Sequence, residues 1–268
     1  MHHLVTVARP ADDPTAELLV DDLWAAGAVG VEEIGSSIRA AFVDDGLARK
    51  AAKRHQGRVE TVDDRTGLDA WRSHAGDYRA GPFHVRPPWI DGQVPADAIE
   101  LVIDPGHAFG SGSHPTTRLM LAALAEHVRA GDRVVDLGTG SGVLAVAAAR
   151  LGAEVLGIDI DPAAATAVAE NAAANGVADL VRVLIADIAA IDPTPADVVL
   201  LNVTIDIHEA IADAVRRIDP TILIVAGVLD GAQAERVATL YGRVATATAT
   251  DDGWAVLVFD RGRDDGPS

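Results

Sequence analysis

Val134-Val-Asp-Leu-Gly-Thr-Gly-Ser-Gly142 decides how this chain is read. Val134 to Leu137 reads as a short buried strand, and glycines at 138, 140 and 142 make the turn behind it. An alanine-rich helix, Val143 to Arg150, follows, and then a second apolar strand, Val155 to Ile158, that ends in Asp159. Glycine carries no Cβ, so such a turn brings backbone close to a ligand, and the helix start behind it offers N–H groups that the helix itself does not use. Asp159 lies 21 positions after Gly138 (159 − 138). An acidic residue at about 20 positions meets a ribose hydroxyl in doubly wound nucleotide folds.

The glycine spacing chooses among cofactors. A dinucleotide site calls for G-x-G-x-x-G, with glycine or alanine at position 143, where this chain has Val143. No G-x-x-x-x-G-K-[ST] occurs, so the phosphate loop of nucleoside-triphosphate enzymes is absent from the sequence. Apolar-Asp-x-G-x-G-x-G followed by a strand ending in Asp is similar to the S-adenosylmethionine site of Rossmann-like methyltransferases. A glycine-rich turn with no ligand is the plainer alternative. Against it stand Gly138, Asp159, Asp187 and Asn202, each at the carboxyl end of a separate expected strand. Open α/β sheets bind ligands along that edge, at the point where the strand order reverses.

The 268 residues suit one large or two modest domains, and 49% hydrophobic content argues against disorder. There is no cysteine, which removes disulfides, thiolate metal sites and a cysteine nucleophile. The nine histidines show no paired spacing on a helix, so no metal is expected. The start lacks a basic stretch leading into an apolar core and no apolar run is long enough to span a bilayer, so the expectation is a soluble, cytoplasmic protein without a membrane partner. The net charge of −18 argues against direct nucleic-acid readout and permits a basic protein partner.

In chain order, Leu4 to Ala8 reads as a strand and Asp12-Asp-Pro14 as the start of an amphipathic helix carrying Leu18, Leu19, Leu23 and Trp24. Strands at Val29 to Ile34 and Ile38 to Val43, a helix at Leu47 to His55 and a strand at Val59 to Val62 complete a β-α-β-β-α-β unit of ferredoxin-like α+β type, residues 1–62. Residues 63–95 read as a connector broken by Gly81-Pro82, Pro87-Pro88 and Gly92, with Trp71 and Trp89 as packing anchors. Residues 96–262 form the α/β domain, a mostly parallel sheet closed by an antiparallel terminal hairpin around Asp251-Asp-Gly253, and 263–268 a polar tail. In that domain Ile222 to Val225 is a strand with Gly227 behind it, Thr116 or Thr117 at a helix start can present a hydroxyl and N–H to an anionic or polar group, with an ordinary N-cap as the plainer alternative, and Asp187 is placed to meet an adenine amino group.

Three stretches carry a resemblance to a known family: Asp104-Pro-Gly-His-Ala-Phe-Gly-Ser-Gly-Ser-His-Pro-Thr-Thr117, Asp136-Leu-Gly-Thr-Gly-Ser-Gly-Val-Leu-Ala145 and Gly157-Ile-Asp-Ile-Asp-Pro162. Together with Asn171 to Gly176 they resemble the PrmA-type ribosomal-protein methyltransferases, which methylate amino groups of large-subunit ribosomal protein eleven. The resemblance implies a class I, S-adenosylmethionine-dependent protein lysine or amine N-methyltransferase with a basic ribosomal protein as partner. It implies cofactor contacts at Thr117, Gly138, Asp159 and Asn202, with Phe109 and Gly110 in a loop that closes over the cofactor. Gly140, Gly142 and Asp187 join that set from the turn and strand-end reading. Asn202 is the candidate for holding the acceptor amine, and His107 and His114 are candidates for its general base by location only, with His114 read in preference as a helix-start residue. Where the family has Asn-Ile or Asn-Leu, this chain has Asn202-Val-Thr-Ile, and the N-terminal unit matches in pattern more than in residues. Methyl transfer to another protein or a small molecule, or cofactor binding without catalysis, are the alternatives.

Overall fold

The computed structural model describes residues 2–11, 15, 16, 19, 20, 22, 23, 26–28, 30–62, 76–104, 114–192 and 194–262. The chain divides into two compact units, Met1–Ala75 and Gly76–Ser268.

The first unit holds β1 (His2–Ala8), β2 (Gly30–Ile34), β3 (Ser37–Phe42), α1 (Asp45–Arg54) and β4 (Arg58–Val62). Its sheet runs in the order β2-β3-β1-β4 and is antiparallel throughout. Alternation selects the buried face: Val5 and Val7 of β1 point the same way as Ile38, Ala40 and Phe42 of β3. Asp44 caps α1 by accepting from the Leu47 amide at 2.8 Å, and the helix turns Ala48, Ala51 and Ala52 to the sheet. Residues 15, 16, 19, 20, 22 and 23 are helical, and Ala16 and Leu23 are buried. With that helical stretch the unit has the ferredoxin-like order. The expected helix start at Asp12 to Pro14, together with Leu18 and Trp24, lies outside the described residues.

The second unit departs from the expected connector. Residues 63–75, with Trp71, lie outside the described residues, but β5 (Tyr78–Ala80) and β6 (Phe83–Arg86) pair antiparallel, and β6 pairs parallel with β7 (Ile99–Val102). Gly81-Pro82 is therefore the turn of a hairpin, with Gly81 at φ +56°, and Phe83, Val85 and Leu101 are buried. A glycine–proline pair punctuates a hairpin as readily as a linker. Trp89, expected as an anchor, is 37% exposed.

The main sheet is built from β8 (Arg133–Leu137), β9 (Glu154–Asp159), β10 (Val181–Ile185), β11 (Val198–Asn202), β12 (Ile222–Leu229), β13 (Ala247–Asp251) and β14 (Trp254–Asp260). Its order is β10-β9-β8-β11-β12-β14-β13, parallel from β10 to β12 and antiparallel beyond. The helices are α2 (Pro115–His127), α3 (Val143–Arg150), α4 (Pro162–Ala174), α5 (Ile205–Ile218) and α6 (Ala232–Tyr241). Both faces of the sheet are covered, which is why the central strands are continuously apolar. Along β11, Val198 and Leu200 enter the core shared with α2 and α3, while Val199 and Leu201 enter the one shared with α5 and α6. Helix α3 is nearly all alanine and valine, and every residue from Val143 to Ala149 is buried.

One local reading is corrected, and the terminal hairpin is as expected. Strand β12 continues past Val225 to Leu229, because a register shift between Val225 and Val228 absorbs Gly227. The terminal hairpin turns through Asp252 and Gly253 at φ 50° and 77°, the pair of left-handed residues that a two-residue hairpin loop requires. Among the described residues no helix is long and apolar enough to cross a membrane.

Candidate cofactor and acceptor site

The strand order reverses at β8, whose neighbours are β9 on one side and β11 on the other. The glycine loop leaves β8 at that point. Gly138, Gly140 and Gly142 have φ of 75°, 53° and 80°, a region L side chains rarely enter. A Cβ at Gly142 would stand 2.8 Å from Val168 Cγ2, and one at Gly138 2.9 Å from Val203 Cγ1. The amides of Gly138 and Thr139 donate to the Ile158 carbonyl, at 2.8 and 3.1 Å, tying the loop to β9. Asp159, at the end of β9, accepts from the Gly140 amide at 2.8 Å through one oxygen and from the Asp161 amide at 2.9 Å through the other. Each carboxylate oxygen keeps a further lone pair for a second donor.

Asp136 lies beneath this loop, and the sequence reading did not select it. It is 1% exposed and accepts from Thr139 Oγ1 at 2.8 Å. Burial pushes its carboxyl up to about 7; the Thr139 hydrogen bond opposes the shift, the Asp159 charge adds to it, and a backbone hydrogen bond at Ala145 opposes it. Its signal was a carboxylate inside an otherwise apolar strand, within the stretch that names the fold.

On the other side of β8, Asn202 ends β11, and its amide donates to Thr117 Oγ1 at 3.4 Å, joining two candidate residues 85 positions apart. Thr117 is in the first turn of α2 and, like Thr116, is buried. The helix cap is neither threonine but His114, whose Nδ1 accepts from the Thr116 amide at 3.3 Å and lies 2.8 Å from Thr116 Oγ1, with Pro115 opening the helix. The plainer threonine-cap alternative fails, because the cap precedes Pro115 at the helix start, and His114 is the helix-start residue that the sequence favours. The His114 ring meets Trp254 edge-on at 4.9 Å. Burial lowers its basicity, the Arg118 charge lowers it further, and Asp252 partly offsets both. His114 is thus a neutral, engaged cap.

Behind Asn202 the chain is held by residues the sequence did not flag. His208, in the first turns of α5, is fully buried; its Nε2 lies 2.9 Å from the Ala226 carbonyl and its Nδ1 2.7 Å from the Tyr241 hydroxyl. One neutral tautomer satisfies both, with Nε2–H donating to Ala226 and the tyrosine hydroxyl donating to Nδ1. Burial drives the imidazole pKa down, against backbone hydrogen bonds at Ala226 and Val203. Next to Ala226, Gly227 (φ +85°) runs so close that a Cβ would stand 2.1 Å from the Val203 carbonyl oxygen.

Asp187 is exposed at the end of β10, where its side chain accepts from the Ala189 amide at 2.9 Å and caps a single 3₁₀ turn, Ile188–Ala190. The adjoining Ala186 amide donates to the Asp159 carbonyl at 2.8 Å, so the two strand ends are neighbours. His107, Phe109 and Gly110 lie outside the described residues. No cluster of three or more metal-ligating side chains occurs among the described residues.

This arrangement has relatives. A family model described as ribosomal protein L11 methyltransferase (PrmA) matches residues 35–262, which takes in the second unit as described and the part of the first from the β2–β3 turn onward. The ribosomal protein L11 methyltransferase of Thermus thermophilus is 45% identical over 163 residues, 60% of this chain and 63% of that protein. The one from Deinococcus radiodurans is 37% identical over 209 residues, 76% of each. The match to the Thermus protein spans just under two thirds of its length. Among solved structures, a ribosomal protein L11 methylase from Lactobacillus delbrueckii subsp. bulgaricus superposes with a TM-score of 0.60 at 28% identity, over 68% of this chain and 96% of that one. The chain belongs to the ribosomal protein L11 methyltransferase family.

Proposed function

We propose that this chain transfers methyl groups from S-adenosylmethionine to amino groups, of lysine side chains or the N-terminus, in ribosomal protein L11. The observation that carries this reading is the convergence, at the carboxyl ends of β8, β9 and β11, of a loop with glycine at every second position, the Asp159 carboxylate and the Asn202–Thr117 pair, in a chain of this family. The residues fit the cofactor. The left-handed glycines leave room for a close approach, Asp159 keeps lone pairs for the ribose hydroxyls, and Asp187 stands at the neighbouring strand end for the adenine amino group.

The cofactor supplies an electrophilic methyl on a sulfonium. The protein supplies proximity and orientation. Gly138, Gly140 and Gly142 shape the wall, Asp159 fixes the ribose, and Thr117 accepts the Asn202 amide proton, which leaves the Asn202 carbonyl oxygen to hold an incoming amine. With S-adenosylmethionine bound, Asn202 would hold the acceptor as a neutral amine, its proton already given up to solvent, in line with the sulfonium methyl. The first unit presents the protein substrate, and the net charge of −18 favours encounter with a basic one in a salt-sensitive step.

The test is incubation of the full chain with labelled S-adenosylmethionine and ribosomal proteins from a source lacking this methylation. Label in L11 is the expected outcome. Label in another protein or a small molecule would favour the other acceptor, and cofactor binding without label anywhere would favour a non-catalytic module. A chain beginning at Gly76 should keep cofactor binding and lose transfer to L11; full-rate transfer by that chain would refute the presenting role.

A further inference from the structure

β7 is the edge of its three-stranded sheet, and among the described residues no strand pairs with its outer edge. Ile99 and Ile103 donate toward β6, to the carbonyls of Pro82 and Arg86, so Val102 and Asp104 turn their backbone groups the other way. Buried backbone groups need partners. Two asparagines of α4 and its cap supply them. Asn175 accepts from the Val102 amide at 2.9 Å and donates to the Val102 carbonyl at 2.7 Å. Asn171 does the same for Asp104, accepting at 2.9 Å and donating at 2.8 Å. The geometry matches because a helical step of four residues rises about 6 Å and a strand step of two about 6.6 Å. Asn171-Ala-Ala-Ala-Asn175 thus stands in for a missing strand, with small residues between that let the helix approach.

The two amides differ in one bond. Asn175 gives its second donor to the Asn171 carbonyl, within its own helix, at 2.7 Å. Asn171 gives its second donor to the carbonyl of Ser141, in the glycine loop, at 2.9 Å. Asn171 is 2% exposed, and every polar position of its amide that these bonds use is fixed. We infer that Asn171 is a positioning residue for the cofactor loop, holding Ser141 and Asp104 at a set separation through one planar amide. It acts through the backbone of Gly140 to Gly142 and touches no reacting atom. The effect on the cofactor rests on the reading of the site as one for S-adenosylmethionine; the effect on the loop does not.

Asn175 provides the control, since Asn→Asp is the same isosteric change one helical turn away. Each substitution removes two N–H donors and sets a carboxylate against carbonyl oxygens, so both should lower the unfolding midpoint by similar amounts. In the ligand-free protein, Asn171→Asp should speed hydrogen exchange of the amides at residues 140–144 at least tenfold, and Asn175→Asp should leave them within twofold of wild type. Calorimetry with S-adenosylhomocysteine should show at least a fivefold loss of affinity in Asn171→Asp alone. If Asn171→Asp does not fold, Asn171→Ser, which keeps a donor, takes its place with the same expectations in smaller measure. Equal exchange at 140–144 in both variants overturns the inference, as does a folded Asn171 variant with wild-type affinity. Wild-type protein that fails to bind S-adenosylhomocysteine, with the exchange difference intact, sinks the cofactor reading and leaves the loop assignment standing.

Discussion

The two halves of the site, on either side of β8, solve the same problem with different materials. Both need backbone to pass where no side chain fits. At the ends of β8 and β9 this is done within one short stretch: three left-handed glycines wrap over Asp136, and Asp159 receives the middle one. At the ends of β11 and β12 a single glycine, Gly227, presses on the Val203 carbonyl, and the contact is locked from α5 and α6 by His208 and Tyr241. The first half is local in sequence and its neighbours are side-chain tips. The second is assembled from distant elements, and its closest neighbour is backbone. Burial acts on both, raising the Asp136 carboxyl and lowering the His208 imidazole, so each half tends toward an uncharged floor.

The largest expected effect tests which half is the more rigid. Gly227→Ala places a methyl 2.1 Å from a backbone oxygen and 2.6 Å from its carbon, at a left-handed φ, and should destabilise the fold by about 4 kcal/mol or more in urea unfolding. Gly142→Ala shares the backbone strain, but the atoms nearest its methyl all belong to the Val168 side chain, the closest at 2.8 Å, and none to backbone; a loss of about 1–3 kcal/mol is expected. Equal losses would erase the distinction between the halves.

The second test is electrostatic, and the halves should respond to pH with opposite sign. The folded Asp136 carboxyl holds its proton to about pH 7, whereas the unfolded one releases it near 3.8. Its contribution to stability is therefore full below 3.8 and is lost as pH rises to about 7, a change of at most a few kcal/mol at ~1.4 kcal/mol per unit. Asp136→Asn should gain on wild type over that window. His208 is depressed below its ordinary value, so the unfolded chain takes up a proton first, and stability falls as pH drops below about 6.5. His208→Gln should flatten that acid limb. Denaturant midpoints at pH 4, 5, 6, 7 and 8 decide both, and a parallel pH response of the two variants would mean that burial does not govern both halves.

The same contrast explains what the sequence disclosed. β8, the glycine loop, α3 and β9 are contiguous, so their periodicities and spacing were readable, and the Gly140–Asp159 contact follows from them. The terminal hairpin was readable because Asp252-Gly253 is its own turn signal. Asn202 is legible as a strand end and Thr117 as a helix-start residue, and the resemblance names both, yet their contact depends on how α2 lies across β11. Nothing local marks His208: one histidine in an amphipathic helix reads as a polar-face residue until Ala226 and Tyr241 close on it. β5 and β6 read as linker because Gly81-Pro82 signals a break in a connector as well as a turn in a hairpin. Asn171 and Asn175 read as a helix end, but amides that complete a sheet edge have no signature without the strand they complete.

The remaining effects are on ligand affinity. Asp159→Ala removes the acceptor of the Gly140 amide together with the proposed ribose contact, so S-adenosylmethionine affinity should fall at least tenfold by calorimetry, in line with about 1.5–3 kcal/mol for a charge-assisted hydrogen bond. Unchanged affinity would remove Asp159 from the site. Thr117→Val is the mildest change, and it bears on the acceptor half alone. Valine keeps the buried volume in the first turn of α2 but deletes the oxygen that accepts from Asn202. At 3.4 Å that bond is long, so its loss should cost about 1 kcal/mol or less in stability. The released Asn202 amide is free to rotate, and a carbonyl oxygen that holds the amine in only some rotamers lowers the turnover rate more than it changes cofactor binding. The expected result is a several-fold fall in kcat with cofactor affinity within twofold of wild type. A variant that loses cofactor affinity and keeps kcat would move Thr117 from the acceptor half to the cofactor half, and the division of labour across β8 would have to be redrawn.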